Sequence, residues 1–242
     1  MRTSDAENYY LSRIDPYWKQ LGRLFRSSEK ILPKYLDSKQ IEKTETETFI
    51  EFKVVLSALP YIGGDKNMLT FVFVSCAAAL AYIRVLERYA LPVDQIGIIL
   101  NEVYEDVYSS LPSLVKWLLR RSEFSTRHRN QLNSFAQESQ LREYAENWVM
   151  EYVEGDGLEF DYGCTYTECA VYKFYQKMGA DEYMPYICAM DMTSSSALGT
   201  GLHRTSTLYY GGDCCDFQYK KNRSSMPGIP LENLPEYKNR KR

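Results

Sequence analysis

The sequence has little of what nucleic-acid-binding or membrane-spanning proteins require. Its formal net charge is −3 over 242 residues, so it lacks the basic excess that a phosphate backbone attracts. The apolar stretch from Met68 to Ile83 is shorter than the about 20 residues that cross a bilayer, and it contains Thr70 and Ser75. We therefore predict a buried helix there, with no membrane partner and no nucleic-acid partner.

The sequence also lacks the spacings of common metal sites. Its two histidines, His128 and His203, are far apart, and none of its six cysteines forms a Cys-x-x-Cys pair. The opening residues MRTSDAENYY contain no apolar run of the signal-peptide type. We expect a cytoplasmic protein with free thiols and without a metal or another cofactor. The oligomeric state stays open, with a homo-oligomer as one alternative.

Apolar residues in the first 144 positions recur every three to four residues, which predicts helices. Gly63-Gly64 breaks this pattern, and Ser38, Pro92 and Pro112 are typical helix starts. A first helix contains Tyr10, Ile14, Tyr17, Leu21, Leu24 and Phe25. The later predicted helices cover about 39–58, 66–89, 93–108, 112–121 and 125–144.

Alternation of apolar and polar residues begins at Trp148, which predicts strands. Two antiparallel hairpins with two intervening helices account for the pattern. The predicted elements are a strand near 148–154, a turn at 155–157, a return strand at 158–162, a helix capped by Thr165 or Thr167 and ending at Met178, a helix at 181–196, and a hairpin joining 202–210 to 213–219 around Gly211-Gly212. If these two glycines are the turn residues, Leu208 lies opposite Cys215, whereas a longer turn would change this pairing.

These elements predict an α+β fold, with a helical N-terminal half packed on a small antiparallel sheet that carries two helices. We expect one domain over residues 1–219, comprising a helical part (1–144) and a part with the sheet and the site (145–219). Residues 220–242 hold seven Lys or Arg and two acids. We predict a solvated basic tail there, with the alternative that it folds over the acidic body.

Reactive side chains concentrate in the C-terminal half. Cys188 and Asp191 are three residues apart on a predicted helix, so they share a face. Cys169 falls in the predicted first turn of a helix, where the helix dipole favours a thiolate. Cys215 alternates with Cys214 on a strand, so the two thiols face opposite sides. Each of these residues alone is more often structural, and only their clustering favours a site.

The motifs TECAVYKFYQKMG, MPYICAMD and HRTSTLYYGGDCCDFQY resemble the L-2-amino-thiazoline-4-carboxylate hydrolase family. That family has a Cys before a helix, then a Cys followed three residues later by Asp, and then an Arg-Thr-x-Thr-Leu strand, a Gly turn and a Cys-Asp-Phe strand. The matching positions here are Cys169, Cys188, Asp191, Arg204, Thr205, Thr207, Gly212, Cys215, Asp216 and Phe217. The chain departs from the pattern at Met178 and Gln218.

The resemblance implies a small-molecule substrate, a cyclic amidine or thiazoline that is hydrolysed at its electron-poor ring carbon. We expect Cys215 or Cys188 to be the nucleophile, Asp191 to act as acid, base or amidinium anchor, and Arg204 to bind a substrate carboxylate. Further candidate catalytic residues are Cys169 and, as a proton shuttle, His203. Further candidate substrate-binding residues are Thr205, Thr207 and Asp216.

Three other functions stay open on the sequence alone. The three cysteines with Asp191 or His203 could bind a soft metal, although their spacing matches no compact zinc motif. The tyrosine-rich helices could hold a small ligand without turnover. A biosynthetic enzyme could use the same pocket for cyclisation or rearrangement.

Overall fold

The computed structural model describes residues 9–241 and divides the chain into two compact units. The first extends to Val103 and includes Val171–Tyr183, and the second comprises Tyr104–Ala170 and the chain from Met184 onward. The α-helices are α1 Ile14–Ile31, α2 Ser38–Ser57, α3 Thr70–Arg88, α4 Val93–Ser109, α5 Ser113–Glu123, α6 Thr126–Gln140, α7 Ala170–Lys177, α8 Met184–Leu198 and α9 Pro235–Lys238. The strands are β1 Val149–Glu154, β2 Tyr162–Glu168, β3 Leu202–His203 and β4 Cys215–Tyr219, and short 3₁₀ helices cover Leu32–Lys34, Gly64–Lys66, Asp181–Tyr183 and Leu231–Asn233.

The first unit is helical. Asp37 and Gln40 form a capping box at the start of α2, in which each side chain accepts an N–H from the other residue's backbone. Helix α2 packs on α3, and Phe73 of α3 meets Phe174 of α7 edge to face. These contacts bury the apolar stripes that the sequence pattern predicted, so the helical N-terminal half is confirmed.

Helix α3 is the one described helix that is long and apolar enough to cross a membrane. However, 61% of its most apolar window is buried inside the protein, and Phe73, Val74 and Leu80 have no exposed surface. Core helices of soluble proteins pass the same length and composition test. The predicted buried helix at about 66–89 is therefore confirmed as Thr70–Arg88.

The second unit contains a four-stranded antiparallel sheet in the order β1-β2-β4-β3. Its register places Tyr166 opposite Cys215 and Tyr162 opposite Tyr219. Next to the sheet, a buried cluster joins α8, β3 and the C-terminal segment. Its buried members are Ala189, Met192, Leu202 and Leu234, and Phe217, Tyr219, Leu231 and Tyr237 pack against it. The predicted α+β class is confirmed, whereas the single domain over residues 1–219, and the packing of its N-terminal helices on the sheet, stay predictions.

The first hairpin differs from its prediction. The carboxylate of Asp156 accepts the backbone N–H groups of Leu158 and Glu159, each at 2.8 Å, and this closes a loop where the return strand 158–162 was expected. The return strand is instead Tyr162–Glu168. The predicted helix caps Thr165 and Thr167 are therefore wrong, because both residues lie within β2.

The second hairpin is also shorter than predicted. Only Leu202 and His203 pair with β4, opposite Tyr219 and Gln218. The backbone N–H groups of Thr205 and Ser206 bind the Asp216 carboxylate at 2.9 and 2.6 Å instead of a strand partner. The predicted strand 202–210 is confirmed only at Leu202 and His203, and the pairing of Leu208 with Cys215 is wrong, since a longer connection follows His203.

The C-terminal segment is not a freely solvated tail. Gly228 approaches α8 so closely that a Cβ atom would lie 2.2 Å from the carbonyl oxygen of Ala189. Leu234 and Glu236 each retain 1% of their exposure. The prediction of a solvated tail is therefore wrong for this part of residues 220–242, because its apolar residues pack in the buried cluster and Glu236 is buried beside them.

Candidate active site

One face of the sheet is aromatic and carries the first candidate thiol. Cys215, Phe217 and Tyr219 alternate along β4, and their partners on β2 include Tyr166 and Tyr162. Tyr162 and Tyr219 stack with ring centroids 4.9 Å apart, and Tyr166 meets Phe217 edge to face at 5.3 Å. Because side chains directly opposite each other share a face of the sheet, this surface forms an apolar wall around the Cys215 sulfur.

Three cysteines that are distant in sequence lie within electrostatic range of one another. Cys169 directly precedes α7, Cys188 lies on α8 and Cys215 begins β4. Cys188 lies within electrostatic range of both other thiols, and Cys215 within range of Cys169. Cys188 and Cys169 are partly exposed, whereas Cys215 is buried. The structure therefore brings together the three thiols that the sequence singled out.

Burial disfavours the thiolate form of both main candidate nucleophiles. Burial raises the pKa of Cys215 to about 12, although the backbone N–H of Leu208 donates to its Sγ at 3.3 Å and favours the thiolate. Burial also raises the pKa of Cys188 well above its ordinary value, opposed mainly by the cation of Arg204. A nearby proton acceptor is therefore needed before either sulfur attacks a substrate.

Arg204 lies at the centre of a buried charge cluster. It is 1% exposed, and its guanidinium lies over the Phe217 ring at 4.9 Å. Its Nε and Nη2 donate to Oε1 of Glu236 at 3.1 and 2.5 Å. Nη2 also donates to the backbone carbonyl of Cys188 at 2.9 Å. Nη1 donates to Oδ2 of Asp191 at 3.1 Å. Burial alone would lower the pKa of Arg204, but the two carboxylates raise it, so the guanidinium stays charged.

Asp191 is the accessible member of this cluster. Its side chain is 48% exposed, whereas Arg204 and Glu236 are each at 1%. Burial nevertheless raises the pKa of the Asp191 carboxyl above its ordinary value, although Arg204 beside it favours the charged form. The Asp191 carboxylate therefore combines open surface on one side with protein groups, Arg204 among them, on the other. It is therefore placed to receive a ligand group or a proton.

The remaining predicted site residues lie in different surroundings. Thr205 and Asp216 bind each other, with Thr205 Oγ1 donating to Oδ2 at 2.6 Å, and hold the connection after β3 in place. Thr207 is buried, and its Oγ1 accepts the backbone N–H of Tyr210 at 3.4 Å. His203 is exposed opposite Gln218, on the other face of the sheet from Cys215. The structure does not bring His203 into the thiol cluster, and its role as a proton shuttle stays a prediction.

Sequence reasoning missed two residues of this site. Glu236 was placed in a solvated tail, and Tyr166, which lies opposite Cys215, was placed at the start of a helix capped by Thr165 or Thr167. The spacing of Leu231, Leu234 and Tyr237 around Glu236 is the signal that could have indicated a docked segment.

In the described part of the chain, no group of three or more His, Cys, Asp or Glu side chains is arranged to hold a metal ion.

The comparisons with known proteins agree with the motifs. The sequence model of the L-2-amino-thiazoline-4-carboxylic acid hydrolase family matches residues 110–219, which confirms the resemblance. The match includes the three clustered cysteines, Asp191 and Arg204, and it ends before Glu236. No curated protein and no solved structure shows a significant match to the chain.

Proposed function

We propose that this protein is a hydrolase that opens a small cyclic amidine or thiazoline through a cysteine nucleophile. The match over residues 110–219 supports a hydrolase of thiazoline-type substrates. The observation that carries the cysteine mechanism is the cluster of Cys169, Cys188 and Cys215 beside the accessible carboxylate of Asp191. Thiols with a nearby proton acceptor form the minimal arrangement for covalent catalysis.

The proposed reaction consumes one water and proceeds in two steps. The enzyme sulfur bonds to the ring carbon between nitrogen and sulfur, and the bond from that carbon to the ring sulfur breaks, releasing the substrate thiol. Water then bonds to the same carbon and displaces the enzyme sulfur, which leaves a carbamoyl product and the free cysteine. The proton that leaves the enzyme thiol is delivered to the departing ring sulfur, so no redox partner is required.

Asp191 suits the proton transfers in this scheme. Because burial raises the pKa of Cys188 and Cys215, the attacking thiol has to lose its proton to a base at the moment of attack. The pKa of Asp191 is itself raised by burial, which makes this carboxylate a better base than an ordinary aspartate. Its open surface also allows a charge-assisted hydrogen bond to a protonated amidine.

Cys188 is the better candidate for the attacking thiol. Part of the Cys188 residue is exposed, whereas Cys215 is 8% exposed, although burial raises the pKa of both thiols. Cys188 also lies three residues before Asp191 on α8, and the Arg204 cation is the main influence that favours its thiolate. Cys215 would then pack against the substrate ring, with Tyr166 opposite it on β2.

The proposal is tested with L-2-amino-thiazoline-4-carboxylate as substrate. We expect the purified protein to release one free thiol per ring opened, which a thiol-reactive dye measures. Rapid quenching followed by peptide mass spectrometry is expected to find the ring adduct on a cysteine of the cluster. A protein that releases no thiol from this compound, or from 2-amino-2-thiazoline, would contradict the hydrolase assignment.

Asp191→Asn is expected to lower kcat by about 10²–10⁴-fold, the usual contribution of a positioned acid or base. The amide cannot accept a proton, although its oxygen can still accept the N–H of Arg204. Steady-state thiol release measures the effect. Asp213→Asn is the matched control, because Asp213 is 97% exposed and pairs with Lys241 at the surface. Equal activity of the two variants would remove Asp191 from the mechanism.

A further inference from the structure

The net charge of the cluster around Arg204 indicates which ligand charge it favours. Two carboxylates, Asp191 and Glu236, contact a single guanidinium, so the three groups sum to −1 when all are ionised. Oε2 of Glu236 is buried and has no hydrogen-bond partner in the described part of the protein. The cluster therefore has an excess of acceptors and negative charge, which an added cation would offset and an added anion would increase.

Arg204 has no edge left for a substrate carboxylate. Bidentate binding of a carboxylate needs two parallel N–H groups on one edge of the guanidinium. Oε1 of Glu236 occupies the edge formed by Nε and Nη2. On the other edge, Nη2 also donates to the carbonyl of Cys188, and Nη1 donates to Asp191.

The exposed surface of the cluster is anionic. Arg204 and Glu236 are each 1% exposed, while Asp191 is 48% exposed. A ligand that reaches the cluster from solvent therefore meets the Asp191 carboxylate first, because the guanidinium of Arg204 is buried. Glu236 comes from the C-terminal segment, outside the residues that match the hydrolase family. Glu236, whose carboxylate binds Arg204, therefore lies in a part of the chain that the family match does not cover.

We propose that Glu236 is a specificity-determining residue, which commits Arg204 to Asp191 and so makes the site select a cationic amidine without an acidic substituent. The inference rests on the proposed function for the location of the site. Within this cluster, Arg204 holds the Asp191 carboxylate in place, and Asp191 binds the N–H groups of the amidinium. Glu236 acts through Arg204 and does not touch the ligand.

Calorimetric titration of the full-length Cys188→Ser protein with two compounds tests the inference, because the proposed mechanism leaves this variant unable to consume either of them. The substitutions at Glu236 and Glu232 are made in the same background. The probes are 2-amino-2-thiazoline, which has the amidine alone, and L-2-amino-thiazoline-4-carboxylate, which adds the acid. The unsubstituted amidine is expected to bind at least as tightly as the acid. Tighter binding of the acid by roughly tenfold, the effect of one charge-assisted contact, would overturn the inference, and so would no binding of the unsubstituted amidine.

A substitution at Glu236 tests whether its negative charge determines the preference between the two compounds. Glu236→Gln keeps an oxygen that accepts N–H groups from Arg204 but removes one negative charge. The ratio of the two dissociation constants is then expected to move by roughly tenfold in favour of the acid. Glu232→Gln is the matched control, since Glu232 lies exposed on the same segment. Its ratio of the two dissociation constants is expected to equal the ratio measured with Glu232 and Glu236 both intact.

An unchanged ratio in folded Glu236→Gln would reduce Glu236 to a packing role and overturn the inference. If Glu236→Gln fails to fold, the inference is tested by the two dissociation constants measured with Glu236 intact. Binding requires no turnover, so the two proposals fail separately. Absence of hydrolysis with either compound contradicts the hydrolase, whereas the binding ratio still tests the specificity.

Discussion

Replacing Arg204 with methionine is expected to lower the free energy of unfolding by about 3–5 kcal/mol, the range for removing one partner of a buried ion pair. Glu236 would keep a buried negative charge without a counter-ion, because Arg204 is the only cation that contacts it among the described residues. Methionine fills much of the same volume, so the loss reports the charge rather than a cavity. Urea unfolding followed by circular dichroism measures the difference.

Two further variants separate charge from packing. Arg142→Met removes an arginine that is 57% exposed and pairs with Glu168, so its cost is expected to stay below about 1 kcal/mol. Combining Arg204→Met with Glu236→Leu removes both charges and is expected to recover much of the lost stability. A double variant no more stable than Arg204→Met would show that the guanidinium stabilises the unit through contacts other than Glu236.

Cys188→Ser is expected to abolish thiol release, with a loss of about 10⁴-fold or more, as for other enzymes that lose their nucleophile. The hydroxyl of serine is far less nucleophilic and is not ionised beside Asp191. Cys215→Ser is expected to cost much less, since its sulfur packs on the aromatic face and accepts the N–H of Leu208. Initial rates on the thiazoline substrate measure both effects.

Cys214→Ser is the matched control for this comparison. Cys214 lies just before β4, and the charged groups that act on its thiol are Asp216 and Asp213 rather than the clustered cysteines, so the same chemical change is made outside the cluster. Its activity is expected to equal that of the wild type. The reverse order of effects, with Cys215→Ser inactive and Cys188→Ser active, would move the nucleophile to β4. Full activity of both would contradict covalent catalysis.

The helical elements could be predicted because their signals are local. A helix depends on apolar residues every three to four positions and on caps within one turn, as at Asp37 and Gln40. The convergence of Cys169, Cys188 and Cys215 could be anticipated only as a hypothesis, from the motifs they share with a family. Their spatial proximity depends on the register of the sheet, which periodicity alone does not determine.

The errors in the two hairpins have a common physical cause, since in each a side-chain carboxylate replaces a backbone partner. Asp156 and Asp216 accept backbone N–H groups that were assigned to strands, so both connections are longer than the turn residues indicated. Glu236 was missed because its partner, Arg204, is 32 residues away. Composition made the tail look solvated, but a few apolar contacts and one buried ion pair determine its position.

The contact between Glu236 and Arg204 also sets an order of events during synthesis. Arg204 leaves the ribosome 32 residues before the acid that neutralises it, a delay of roughly 2–6 s at elongation rates of about 5–20 residues per second. Throughout that interval the nascent sheet carries a guanidinium that cannot be buried without its second counter-ion. The charge cluster around Arg204 is therefore expected to form only after Glu236 has left the ribosome.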